Sequence, residues 1–572
     1  MRERSQVLAG PVSVASATGR GDAAALVAAD VLARAARAAG QASAVATAIV
    51  AGGLGHQFAT EEDLRREGLD RAAVGAGDFA ARAALVHDEA GRRLGAAACA
   101  LGVDLDVAAA ARAGEQTAVA ACVAFVRLFE AGLVVEAERV VEVCPRCATV
   151  AAGPDAVPGV VEGEALVLRL AVLDGHDAVG WLDVRCPAPE LVPGIVAVAV
   201  PEGHPAAGHA VAVPVAATVV PVVADPTAVQ PLLLVPAHDA SDLERARRSG
   251  LAPVVAVDAT GTVRAPGPLD GLARHAARAA AARLIAAEGV VAAVEPASEP
   301  VARCAACRTV LVAVLGRHWF LAVADLETAA ADAVREGALV VSPPAARDEL
   351  LALAGTSDDW CLSSRASPGQ ALPVARCADC GSVDVAVDLA SSCRRCMGDL
   401  VREDGVLDAR FVAGVWPLWA SGWPDGGRRG GEPATTALVV PGERLVDGLA
   451  MAALGLRLGG TVPFAELVTT PVAGGGPVEV VALVEAEGSA AARVALLSDG
   501  VDVGFGRDVA ARLDALAAGG ADVRRLEAAC AAALDAGAPA AALGLLAAAL
   551  AEGVPPEEAP RVRALAAPFV GA

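Results

Sequence analysis

The chain has 572 residues, enough for three or four domains with sizeable cores. A formal net charge of −22 argues against an extended nucleic-acid-binding surface, while leaving room for a local patch such as Arg245, Arg247 and Arg248. All 46 basic residues are arginine, and Asn and Tyr are absent too. Codon bias in GC-rich DNA is the plain explanation, yet Schiff-base lysine chemistry, a P-loop lysine and lysine-dependent adenylation are all excluded.

The opening, MRERSQVLAGPVSVASATGRGD, lacks the apolar stretch and cleavage site of a signal peptide. The most Val-rich stretch, Ile195–Val223, is interrupted by prolines, Glu202 and His204, so no membrane association is expected and a cytoplasmic location is the simplest reading. Residues 12–50 read as strand, helix, strand. The apolar run Val12–Ala17 leads into the turn Thr18–Asp22, an Ala-rich helix runs to about Ala39, and a second apolar run spans Ala44–Val50. That is the opening of an α/β nucleotide fold.

Helical periodicity dominates from Glu61 to about Gly132. From about 150 to 345 the texture changes to short Val- and Pro-rich runs (Ala165–Val172, Ile195–Val200, Ala210–Val223), which predicts an inserted β-rich domain. Residues 346–475 return to mixed α/β, with a glycine-rich loop at Gly426–Gly431. From Asp508 the chain is Ala/Leu/Arg-rich and helical, broken at Pro555–Pro556.

Thirteen cysteines include four CxxC pairs: Cys144/Cys147, Cys304/Cys307, Cys377/Cys380 and Cys393/Cys396. Each pair can present two thiolates to one metal from a tight turn, and two pairs complete a tetrahedral S₄ site suited to Zn²⁺. Twelve residues separate the last two pairs, as in a compact zinc ribbon. The alternative is a ligand set that persists without metal. The first two pairs, if they share a metal, clamp both ends of whatever lies between them. No thioredoxin-like context supports a redox reading. Cys99, Cys122, Cys186, Cys361 and Cys530 are scattered and read as small core residues.

Several segments, in order, resemble the valyl-tRNA synthetase family. They are Phe125–Cys147 (FVRLFEAGLVVEAERVVEVCPRC), Leu232–Val263 with its PAHDASD motif, Cys304–Phe320, Asp358–Arg365 (DDWCLSSR), Val406–Asp425 (VLDARFVAGVWPLWASGWPD), Thr461–Leu467 and Gly488–Leu497. Ala59–Arg71 favours the valyl branch over its isoleucyl and leucyl relatives. The resemblance covers about residues 10–510. It implies an α/β fold: a class I Rossmann-type catalytic domain split by a β-rich editing-like insertion, with a short C-terminal helical segment. The expected domains are 1–150, 151–345 for the insertion, 346–507 with the zinc ribbon, and 508–572. It also implies that Cys144/Cys147 pair with Cys304/Cys307, giving two structural Zn²⁺ sites.

The same resemblance exposes departures. The family binds ATP with a HIGH-type turn whose histidines meet the phosphates; Gly19, Arg20, Gly21 and Asp22 stand there, without histidine and with a negative charge where phosphate would sit. The KMSKS-loop counterpart, Thr470–Leu483, is short and has no lysine. Leu54, within Gly53–Gln57, replaces the Asp that grips the substrate amine, and Ala409 and Arg410 replace a Thr and a Trp of the aminoacyl pocket. With these electrostatic groups gone, ATP-driven adenylation is not expected. Asp242 matches the family's editing Asp, which binds the α-amino group of a mischarged aminoacyl end, and His238 and Asp239 match its neighbours. However, the facing segment Cys186–Leu191 has no hydroxyl. The motif then either persists as a folding element or retains residual editing, and the missing hydroxyls favour the first. Residues 508–572 have room for only a few helices where the family carries its anticodon-binding bundle, so anticodon recognition is not expected.

The resulting expectation is a valyl-tRNA synthetase-like protein without amino-acid activation, serving as a binding or regulatory module. Its expected partners are a tRNA or aminoacyl-tRNA acceptor end, or a protein. The alternatives are a trans-editing hydrolase of mischarged aminoacyl-tRNA and, more weakly, a ligase with altered ATP chemistry.

Overall fold

The computed structural model describes residues 4–14, 19–38, 40–216, 218–424, 435–470 and 480–497, with isolated positions beyond them. The glycine-rich segment Gly426–Gly431, most of the KMSKS counterpart and nearly all of 508–572 lie outside the described residues. Two compact units form. One contains the residues up to Val135, Phe320–Leu362 and the described residues from Ser367 onward; the other contains Glu136–Trp319 and Ser363–Ala366.

The first unit is built on a five-stranded, all-parallel sheet. In spatial order its strands are Val340–Ser342, Phe464–Thr470, Thr435–Pro441, Arg4–Ala9 and Ala42–Ala46. The first sheet strand thus precedes the apolar run read from the sequence. Val12–Ser13 instead makes a short separate pairing with Ile49–Val50. The helix Arg20–Ala38 covers one face, its Ala- and Val-rich surface buried on nearly every side. Such all-round burial requires small side chains, which explains the alanine content of this segment. Helices Gly53–Arg66, Arg71–Ala100 and Val107–Glu130 follow, and the second of these breaks at Gly75, where φ is +74°.

From the junction of Arg4–Ala9 and Thr435–Pro441 the chain moves to opposite sides, to Ala42–Ala46 on one and to Phe464–Thr470 on the other, with the earlier strand Val340–Ser342 at that edge. That is the topological switch point, outside whose carboxyl end ligands of open α/β sheets bind. Helix Ala324–Arg335 packs on helix Leu445–Gly459, and Val340–Ser342 joins the parallel sheet. Residues 320–345 therefore fold with this unit, whereas 136–150 fold with the other.

In the second unit, strands Ala210–Val213, Thr218–Ala224, Ala197–Val200, Leu232–Leu234, Asp177–Cys186 and Ala156–Asp174 are linked in that order. A further pairing of Ala210–Val213 with Val172–Leu173 closes the ring. Closure removes the exposed edges that so many short Val-rich strands would otherwise present. Alternate residues of Leu166–Val172 point into a core shared with Leu182, Val184, Val198, Val211 and Ile285. Strand Val291–Cys304 extends the first half of Ala156–Asp174 as a long antiparallel ribbon, in which Cys304 faces Ala156. Among the described residues no helix is long and apolar enough to cross a membrane.

Candidate functional site

The turn expected to meet phosphate sits at the switch point. Arg20, Gly21 and Asp22 form the first turn of helix Arg20–Ala38, beside Gly10, whose N–H donates to the Val439 carbonyl at 2.7 Å. A helix N-terminus offers uncompensated N–H groups and a favourable field for an anion. In this chain the first turn itself carries a carboxylate, Asp22. The Asp22 carboxylate is 7% exposed and lies 3.5 Å from Nη1 of Arg444.

Arg444 follows the strand Thr435–Pro441. Its Nε donates to Oδ2 of Asp447 at 2.8 Å and its Nη1 donates to the Pro11 carbonyl at 3.1 Å. Asp447 also accepts from Nη2 of Arg410 at 2.9 Å, and the Arg410 guanidinium lies over the Trp360 ring, 5.2 Å from its centre. Burial works against the Arg444 charge, yet Asp447 and Asp22 outweigh it and hold the guanidinium above its ordinary range. Burial likewise opposes ionisation of Asp447, but Arg444 and Arg410 hold its carboxyl below the usual carboxylate range. Steric closure accompanies the charges: a Cβ added to Gly21 would stand 3.1 Å from Cβ of Pro441 and would collide with Glu443. At the switch point these side chains form a chain of alternating charges, Asp22–Arg444–Asp447–Arg410.

The segment Gly53–Gln57 is likewise occupied structurally. Leu54 is buried. His56 accepts from the Gly52 N–H through Nδ1 at 3.0 Å, and its Nε2 lies 2.9 Å from the Ala83 carbonyl, an arrangement that suits the neutral Nε2–H tautomer. Burial, only partly opposed by the Ala83 bond, pushes its pKa down to about 4. Gln57 bridges Glu61 and the Ser367 N–H. Gly53, at φ +79°, approaches Ala409 so closely that an added Cβ would stand 2.7 Å from that residue's Cβ.

In the second unit, His238, Asp239 and Asp242 lie together around one helix start, and each is engaged by the fold. Nδ1 of His238 lies 2.8 Å from the Ala313 carbonyl, while Nε2 accepts from the N–H groups of Ala256 and Val257. Burial holds this imidazole below its ordinary pKa. Asp239 is the N-cap of helix Ala240–Arg248, accepting from the Asp242 N–H at 2.9 Å. Asp242 accepts from the Val235 N–H at 3.0 Å and pairs with Nη1 of Arg245 at 3.1 Å; burial raises its carboxyl pKa. The facing segment contributes Glu190, 1% exposed, whose two oxygens meet Arg274 at 3.0 Å and Arg278 at 3.2 Å. That triad was not visible in the sequence, because Glu190 and its arginines are 84 and 88 positions apart.

The eight CxxC cysteines fall into the two expected groups of four, Cys144/Cys147/Cys304/Cys307 and Cys377/Cys380/Cys393/Cys396. Within each group all sulfurs lie within 4.8 Å of one another. All four turns share one geometry. The residue after the second cysteine donates its N–H to the carbonyl of the first at 2.8–3.0 Å and adopts a left-handed φ: Ala148 +54°, Arg308 +62°, Gly381 +69° and Met397 +63°. Only one of these is glycine, so three side chains carry an unfavourable backbone conformation. Sulfur separations of 3.4–3.7 Å compare with about 3.8 Å for a tetrahedron with metal–sulfur bonds of about 2.3 Å. Each group can hold one metal ion.

The sequence profile for tRNA synthetases class I (I, L, M and V) matches residues 2–473. A valine–tRNA ligase of Desulfotalea psychrophila is 30% identical over 312 residues, covering 53% of this chain and 35% of the relative. A valine–tRNA ligase of Carboxydothermus hydrogenoformans is 28% identical over 433 residues, covering 73% of this chain and 49% of the relative. The chain thus aligns with a third to a half of the length of these curated relatives. Among solved structures, a leucyl-tRNA synthetase of Agrobacterium radiobacter K84, in a ternary complex with tRNA and LeuAMS, is similar with a TM-score of 0.49 and 13% identity, covering 100% of this chain and 84% of that one. The chain belongs to the class I tRNA synthetase family (I, L, M and V), and the curated relatives it resembles are valine–tRNA ligases.

Proposed function

We propose that this chain is a valyl-like synthetase scaffold that does not activate an amino acid and instead works as a binding or regulatory module. One observation carries the reading: the first turn of helix Arg20–Ala38, where an anion would be met, carries the Asp22 carboxylate, itself paired to Arg444. A triphosphate entering there meets this carboxylate, and Arg444, the guanidinium beside it, is already shared between Asp22 and Asp447. The repulsion is about 1 kcal/mol in water and several times that in a partly buried site. The groups that would normally offset it, imidazoles on the turn and lysines on the second signature loop, have no counterpart in the chain. By this reading the partner is the acceptor end of a tRNA or aminoacyl-tRNA, or another protein, and the two S₄ groups hold structural Zn²⁺.

ATP–pyrophosphate exchange over a panel of amino acids tests the proposal. No exchange is expected, and robust exchange with any amino acid overturns it. The hydrolytic alternative is weakened because Asp242 is engaged by the Val235 N–H and by Arg245, and because the facing segment offers no hydroxyl.

A further inference from the structure

The two groups of four cysteines are arranged alike, but access to their sulfurs differs. Cys144, Cys147 and Cys304 are fully buried, and Cys307 is partly covered. Two of these residues end long strands, Val134–Cys144 and Val291–Cys304, and the second is paired along its length with Ala156–Asp174. Reaching these sulfurs from solvent requires the strand ends to open.

The other group sits in a small ribbon with almost no core. Its strands, Val374–Cys377, Val383–Val385 and Leu400–Arg402, have three or four residues each. From Ala378 to Arg402 the only buried residue is Cys393. Cys380 and Cys396 are exposed, and each has a buried partner close behind it. Sγ of Cys396 lies 3.4 Å from Sγ of Cys377, and Sγ of Cys380 lies 3.7 Å from Sγ of Cys393. A surface sulfur with a second sulfur in reach is the arrangement in which oxidation is resolved as a disulfide.

We propose that the ribbon is a site of oxidative modification by hydroperoxides, and that the buried group is spared. The thiolate of Cys396 or Cys380 attacks a peroxide oxygen; the O–O bond breaks, and the other oxygen takes up a proton and leaves as alcohol, or as water from hydrogen peroxide. The sulfenic acid so formed is attacked by the thiolate of Cys377 or Cys393. The S–S bond forms, the S–O bond breaks, and the hydroxide leaves as water with a second proton. The two sulfurs together lose two electrons, and the peroxide gains them. The two thiolates that remain cannot close a four-ligand site, so zinc retention in the ribbon is lost with the disulfide. Loss of metal rests on the Zn²⁺ reading above, whereas disulfide formation does not.

The test treats the full chain with hydrogen peroxide. Cys99→Ser and Met397→Leu are present throughout, so that neither the exposed thiol elsewhere nor the exposed thioether of the ribbon consumes oxidant. Zinc content before treatment reports on the metal reading by itself. Tryptic mapping after thiol blocking reports on the disulfide with or without metal, because cleavage at Arg394 and Arg395 separates Cys393 from Cys396. The first disulfide is expected to join Cys396 to Cys377 or Cys380 to Cys393, with the thiols of the buried group lost at least about tenfold more slowly. Where metal is bound, Cys147→Ser should release its remaining zinc as fast as the ribbon is oxidised, and Cys396→Ser should release its own at least about tenfold more slowly. The inference is overturned if the ribbon cysteines form no disulfide, if the buried group is oxidised as fast as the ribbon, or if Cys396→Ser releases zinc as fast as Cys147→Ser.

Discussion

Loss of the Asp22–Arg444 pair should loosen the packing at the switch point by a measurable amount. At 3.5 Å and an effective dielectric constant near 20, the Coulomb attraction is about 5 kcal/mol. Desolvation opposes it, and the Arg444 side chain is 26% exposed, so the net coupling is expected at about 1–3 kcal/mol. Arg444→Met alone should cost more, about 3 kcal/mol, because it also removes one of the two arginines on buried Asp447. The assay is a double-mutant cycle with Asp22→Asn, Arg444→Met and the double variant, unfolded in urea and followed by tryptophan fluorescence. Trp360, Trp416, Trp419 and Trp423 all report on this unit. The Asp447 carboxyl is held below its unfolded value, so its contribution is present above the unfolded carboxylate pKa and is lost as pH falls through the folded one. The Arg444→Met penalty should therefore persist from pH 7 to about 5 and shrink only below about 4. A coupling under about 0.5 kcal/mol would refute the idea that this pair holds the packing at the switch point together.

Other outcomes rest on the same geometry. His56, with its pKa lowered to about 4, stays neutral in the folded chain while the unfolded chain takes up a proton below about 6.5. Between those values wild type should lose about 3 kcal/mol that His56→Asn does not lose, and parallel urea stabilities at pH 7 and pH 4.5 would contradict this. Elemental analysis should find two zinc ions per chain, with Cys147→Ser and Cys396→Ser each losing one; loss of both from either variant would contradict the grouping. Asp242→Ala should destabilise the second unit by about 1–3 kcal/mol, chiefly by leaving the Val235 N–H without its partner. It should not alter deacylation of mischarged valine tRNA, and hydrolysis by wild type that disappears in this variant would restore the hydrolase reading.

The α/β class, the β-rich insertion and the four CxxC pairs were legible from the amino acids alone, for a local reason, whereas the grouping of Cys144/Cys147 with Cys304/Cys307 came from the family resemblance. Periodicity writes the helical stretch from Glu61 to about Gly132, short Val-rich runs write strands such as Ala165–Val172, and CxxC spacing obliges two thiols to share one turn. That the Gly19–Asp22 turn carries no histidine could also be read, because it is the absence of a residue type. What the turn meets in space could not be read. Asp22 and Arg444 meet only because parallel strands Arg4–Ala9 and Thr435–Pro441 lie side by side, bringing Arg444 to the carbonyl of Pro11, 433 positions away. Glu190 is buried between two arginines for the same kind of reason, and the left-handed backbone at Ala148, Arg308 and Met397 has no glycine to announce it. Composition and short-range spacing determine which elements form and which residue types are absent. Sheet order decides which charges are brought together, since Coulomb energy depends on distance in space and not along the chain.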